Sequence, residues 1–100
     1  LDELMKVLSS HMDYAIDKIT QAVEGIKINK PQGTYLLWID YRDTGLTEKE
    51  IMDKLLTKGK LALEPGSKYG DSGNGFLRMN VACPRQTLED GVMRFITALT

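Results

Sequence analysis

Residues 76–83, FLRMNVAC, alternate with a period of two. Leu77, Met79, Val81 and Cys83 point to one side of a strand, and Phe76, Arg78, Asn80 and Ala82 to the other. One side is wholly apolar; the other carries an arginine and an asparagine two positions apart. An arginine fork on a rigid strand can grip a carboxylate through two parallel hydrogen bonds. Alternation alone leaves open whether Arg78 does this, faces solvent, or pairs internally with an Asp or Glu.

Downstream of Pro84 the apolar period lengthens to that of a helix. Leu88, Val92, Phe95, Ile96 and Leu99 form its inner face, with Thr87 and Asp90 as a weak capping pair. Gly91 inside it costs up to about 1 kcal/mol relative to Ala. Upstream, Gly66, Gly70, Gly73 and Gly75 fall within ten residues. They lead into a strand rather than a helix, and no Lys-Ser or Lys-Thr follows, so neither a P-loop nor a dinucleotide fingerprint is present. The cluster reads as a flexible connection, or as a loop lining a cleft.

Further back, residues 61–63 read as a short strand and Gly59 as a left-handed helix stop. Thr47-Glu48-Lys49-Glu50 is a capping box that opens a helix facing inward through Ile51 and Leu55, with Met52 and Leu56 beside them. Residues 34–41, TYLLWIDY, are apolar on both alternations, which predicts a central strand covered on two faces, with Tyr35 and Trp38 as packing residues. Pro31-Gln32-Gly33 reads as the turn before it and residues 26–29 as a short strand. From residue 1 to 26, apolar residues at steps of three and four make a helical stripe about 120° wide. Val7 and Tyr14 form a second strip, either surface residues or a contact with a part of a longer protein. The pattern is already running at Leu1 with no capping residue before it, so we expect a cut edge there.

The order helix, two strands, helix, two strands, helix predicts an α+β fold. A small, mostly antiparallel sheet of three to four strands packs against three helices. One hundred residues fit a single domain. Thirteen basic against 14 acidic residues give a net charge of −1, which argues against nucleic acid as a partner. The longest apolar run, residues 35–39, is too short to cross a bilayer. One Cys excludes an internal disulfide, and with one His no Cys/His zinc site can be assembled. His11, at the edge of the helical stripe, and Cys83, on an apolar strand face, read as structural.

Three segments stand in order: residues 31–38 (PQGTYLLW), 63–70 (LEPGSKYG) and 75–85 (GFLRMNVACPR). Together they resemble the C-terminal small domain of class I/II, fold-type-I pyridoxal-phosphate aminotransferases. The Ala-Cys-Pro-Arg ending and the Pro-Gly-Ser-x-Tyr-Gly loop are most similar to the MalY/PatB-type cystathionine β-lyases. The resemblance implies that residues 1–100 are the small domain of a longer enzyme whose large, cofactor-binding domain lies outside them. It implies cleavage of cystathionine or cysteine-type substrates to pyruvate, ammonia and a thiol, with transamination as the alternative. It also implies a cytoplasmic homodimer using pyridoxal 5'-phosphate, with no membrane association. By the same resemblance Arg78 binds the amino-acid substrate's α-carboxylate, Asn80 and Tyr69 line the cleft, and no catalytic, cofactor-binding or metal-binding residue lies in the chain. The 100 residues alone are then inactive and bind no cofactor. A reading of another class is a free-standing α+β module that binds a small ligand or a partner.

Overall fold

The computed structural model describes residues 2–31 and 34–100. Leu1, and Gln32 and Gly33 of the expected turn, lie outside the described residues. Three helices, α1 (Asp2–Ala22), α2 (Glu48–Thr57) and α3 (Arg85–Leu99), alternate with four strands. The strands are β1 (Lys27–Ile28), β2 (Leu36–Asp40), β3 (Glu64–Pro65) and β4 (Phe76–Asn80). They form one antiparallel sheet in the order β1-β2-β4-β3, so the α+β fold with a four-stranded sheet and three helices is as expected.

The alternation in β4 does the sorting. Leu77 and Met79 are buried with their ladder partners Ile39 and Leu37. This face meets the helices, with Ile19 of α1, Ile51 and Leu55 of α2, and Val92 and Phe95 of α3 fully buried. The helix α3 packs against both α1 and α2. The capping box at the start of α2 is formed: the Glu50 amide donates to Thr47 Oγ1 at 3.1 Å and the Thr47 amide to Glu50 Oε1 at 2.8 Å. His11 is buried, and its Nδ1 lies 2.8 Å from the Val81 carbonyl oxygen, tying α1 to the end of β4.

Several expectations need correction. The strand over residues 34–41 shrinks to β2, and its second face is left partly open: Trp38 on it is 37% exposed, while Tyr35, outside the strand, is 47% exposed. Residues 61–63 form no ladder; pairing starts at Glu64, where the chain meets Arg78 and Leu77. Likewise β4 stops at Asn80, whose side-chain Oδ1 takes the Ala82 amide at 2.7 Å and bends the chain away. Helix α1 ends at Ala22, and the bend after it carries Ile26 into the core.

The left-handed residue after α2 is Lys60, at φ 54°, not Gly59. Gly59 is needed for room, since a Cβ there would lie 2.6 Å from the Arg94 carbonyl oxygen. Leu56 is exposed, as are Leu4 and Met5 of the stripe. The second strip divides, with Val7 exposed and Tyr14 half-buried under the Arg85 guanidinium, 4.3 Å from its ring centroid. Thr87 does not cap α3, which starts behind Pro84; Asp90 instead pairs with Arg94 at 2.7 Å. On α3 the fully buried Ala98 joins Leu88, Val92 and Phe95, while Ile96 and Leu99 are half-buried.

Candidate carboxylate-binding site

The sheet's second face is not covered by helices. Antiparallel register places Trp38 directly across from Arg78, and Asp40 across from Phe76. On the other flank Glu64 of β3 also stands across from Arg78. Arg78 therefore projects from an inner strand between a tryptophan and a glutamate, held by the ladder on both sides.

Residues 66–73 fold back over this face. Two short 3₁₀ turns, Gly66–Tyr69 and Asp71–Gly73, make up the segment. Its ends meet backbone to backbone: a Cβ on Gly73 would sit 2.1 Å from the Gly66 carbonyl oxygen. No side chain fits there, so two of the four clustered glycines are required by close approach. The cluster is thus a folded loop over the strand face, the cleft-lining alternative of the two.

The loop sets Tyr69 on the sheet's aromatic surface. Its ring meets Trp38 edge to face at 6.3 Å, and Phe76 meets Trp38 likewise at 6.2 Å. The Arg78 guanidinium carbon lies 4.1 Å from the Tyr69 ring centroid and 5.8 Å from that of Trp38. Trp38, Tyr69, Ser72, Gly73 and Phe76 enclose an open hollow of about 400 Å³. A wider groove of about 710 Å³, bordered by Leu36, Leu63, Glu64, Arg78, Asn80 and Cys83, runs along the same strand.

Charge pairing separates Arg78 from the other arginines. Arg42 holds Asp40 at 2.8 Å, Arg85 holds Glu89 at 3.1 Å and Arg94 holds Asp90 at 2.7 Å. Among the described residues Arg78 makes no ion pair, and its Nε is buried without a hydrogen-bond partner. Glu64 does not fill the gap. Its Oε2 accepts from Tyr69 Oη at 2.7 Å and from Lys68 Nζ at 3.1 Å. Those bonds, the Tyr69 bond first, lower the Glu64 carboxyl below its ordinary range, while the Lys68 ammonium is raised. At the far edge of the face, Arg42 lowers Asp40 by hydrogen bonding, and its guanidinium stands 4.9 Å from the Phe76 ring.

A fork with a buried, unpartnered N–H and an aromatic surface beneath it can take a planar anion edge-on, because stacking on the guanidinium face leaves its in-plane donors free. The structure brings Tyr69 to Arg78. Asn80 shares the groove with Arg78, but its Oδ1 is engaged by the Ala82 amide. Trp38 and Glu64 were not among the expected site residues. Their signal was the pairing itself, since the antiparallel register that pairs Leu37 with Met79 sets Trp38 opposite Arg78. Burial raises the Cys83 thiol above its ordinary pKa, which accords with a structural cysteine. Among the described residues no cluster of His, Cys, Asp or Glu suits a metal ion, and no helix is long and apolar enough to cross a membrane.

The comparisons with known proteins bear on this geometry. No family model matches the chain. It is 40% identical over 100 residues to cystathionine beta-lyase PatB of Bacillus subtilis (strain 168), covering 100% of the chain and 26% of that protein. It is 37% identical over 99 residues to protein MalY of Escherichia coli (strain K12), covering 99% of the chain and 25% of MalY. Cystalysin from Treponema denticola, whose crystal structure contains pyridoxal 5'-phosphate, superposes with a TM-score of 0.89 at 30% identity over 98% of the chain and 25% of cystalysin. The fold is the aminotransferase small-domain fold. The chain spans about a quarter of the length of the curated relatives it matches, at their C-terminal portion. An aromatic aminotransferase from Pyrococcus horikoshii OT3 shares the small-domain fold at a TM-score of 0.84 and 27% identity, over 95% of the chain and 25% of that protein.

Proposed function

We propose that residues 1–100 are the C-terminal small domain of a longer pyridoxal-phosphate lyase of the cystathionine β-lyase type, and that Arg78 binds the α-carboxylate of its amino-acid substrate. One observation carries the site assignment: alone among the four arginines, Arg78 has no carboxylate partner within the described residues although Glu64 faces it. The match to PatB and MalY supports the lyase reading.

The cofactor itself does not fit the residues present. Lys68, on the loop over Arg78, is ion-paired to Glu64, and its raised pKa keeps it a charged, poor nucleophile. In this reading the rest of the enzyme holds pyridoxal phosphate, which when bound supplies the electron sink for breaking bonds at the substrate's α and β carbons. The small domain's part is orientation. Arg78 fixes the carboxylate, Tyr69 and Trp38 present the guanidinium, and Asn80 shapes the groove beside them. In this reading the enzyme is a cytoplasmic homodimer.

In the intact enzyme encoded by the reading frame containing this chain, Arg78→Leu raises KM for amino acids by at least about tenfold, the loss of one charge-assisted bidentate contact. Cofactor absorbance stays as in the wild type. An unchanged KM refutes the carboxylate role. A transaminase is the second reading, favoured by 36% identity over 70 residues to an aspartate aminotransferase of Pyrococcus abyssi (strain GE5 / Orsay). Release of pyruvate from L-cystathionine supports the lyase; amino transfer to a keto acid without that release supports the transaminase. The isolated chain is inactive in either case, and adding cofactor to it produces no lysine-dependent absorbance band.

A further inference from the structure

Glu64 and Arg78 occupy facing positions in the β3–β4 ladder, where opposite charges ordinarily close on each other. Here they do not. The Glu64 carboxylate is turned to the Tyr69 phenol at 2.7 Å and the Lys68 ammonium at 3.1 Å. The Tyr69 ring fixed in this way lies 4.1 Å from the Arg78 guanidinium carbon. The loop that carries Tyr69 is also held by a hydrogen bond from Ser67 to Glu48 at the start of α2 and by the Gly66–Gly73 approach. Tyr69 itself is 49% exposed, so packing alone does not fix its ring.

We infer that Glu64 is a positioning residue for the carboxylate site: by accepting from the Tyr69 hydroxyl it anchors the ring as a platform beneath Arg78 and keeps its own oxygens from closing on the fork. The inference rests on Arg78 being the substrate-carboxylate anchor. Arginine has several soft torsions, and a ring under its flat face restricts them before substrate arrives. Arg78, which borders the groove, then meets the substrate with no ion pair among the described residues to break. In this role Glu64 acts through Tyr69.

The test uses the intact enzyme with whichever of L-cystathionine, L-cysteine and L-aspartate it turns over fastest. Glu64→Ala and Tyr69→Phe each raise KM roughly two- to fivefold, the range of an exposed cation–π contact, while kcat changes little. Glu64→Gln, whose amide oxygen still accepts from the phenol, restores most of the loss seen in Glu64→Ala. The double variant Glu64→Ala/Tyr69→Phe is no worse than either single one, because both cut one chain of contacts. Multiplying effects, or a KM that falls in Glu64→Ala because a rival carboxylate has gone, overturn the inference. Arg78→Leu, run alongside, separates the two levels. If it raises KM while the Glu64 and Tyr69 variants do not, only the positioning role fails; if it leaves KM unchanged, the carboxylate reading fails with it. Unaltered far-ultraviolet circular dichroism and cofactor absorbance exclude a folding defect in each variant.

Discussion

Trp38 and Arg78 are ladder partners on neighbouring antiparallel strands, and the guanidinium carbon lies 5.8 Å from the indole ring. Cross-strand neighbours of this kind interact through their side chains as well as through the backbone. Here a cation with no ion-pair partner among the described residues is set beside the chain's single tryptophan.

That tryptophan is a ready reporter. Arg78→Leu changes the emission intensity of Trp38, whereas Lys18→Gln, on the exposed flank of α1, leaves it as it is. Steady-state fluorescence of the 100-residue chain measures both. Identical emission from wild type and Arg78→Leu would remove the contact on which the site is built.

Two glycines give opposite outcomes. Gly59→Ala forces a methyl to within 2.6 Å of the Arg94 carbonyl oxygen and destabilises by about 1–3 kcal/mol through overpacking. Gly91→Ala meets nothing within 4 Å inside α3 and stabilises by up to about 1 kcal/mol through helix propensity. Urea unfolding followed by circular dichroism reads both, and shifts of the same sign would contradict the packing of α3 on the end of α2.

Acid stability depends partly on Asp40. Its carboxyl is lowered chiefly by hydrogen bonds from the Arg42 side chain, so the folded state binds its proton less readily than the unfolded chain. The resulting stabilisation is complete above the ordinary carboxylate pKa of about 4 and disappears as the pH falls through the lower folded value. Asp40→Asn therefore flattens the acid limb of a plot of unfolding free energy against pH, leaving the slope near neutrality unchanged. An acid limb as steep as the wild type's would show that the Asp40–Arg42 pair contributes nothing.

Much of the architecture could be read directly from the residues. The alternation of Leu77, Met79 and Val81, the capping box at Thr47 and Glu50, and the three- and four-residue steps of α1 and α3 are local signals. Each survives into the fold because burial and hydrogen bonding agree with it. What escaped was decided by contacts between distant segments. Trp38 sits on an apolar strand and reads as core until it is seen that the helices all lie on the other side of the sheet. Gly59 looks like a left-handed stop, yet the reason for it is a backbone carbonyl 35 positions downstream. Arg78 stood out by its place on a strand face, and Tyr69 by the loop motif it belongs to. Glu64 carried no local mark, because its importance arises from a ladder partner and a phenol five residues ahead.

The approach of Gly66 to Gly73 has an evolutionary consequence. Because the two backbones close the loop at its base, the stretch between Tyr69 and Gly73 behaves as an exchangeable cassette whose length and chemistry can change without shifting the strand that bears Arg78. Ring closure at the base leaves little additional entropy to lose when such a segment grows, since the cost rises only logarithmically with length. Diversification of side-chain preference can then proceed by rewriting that short stretch, with Tyr69 and the grip on the carboxylate inherited intact.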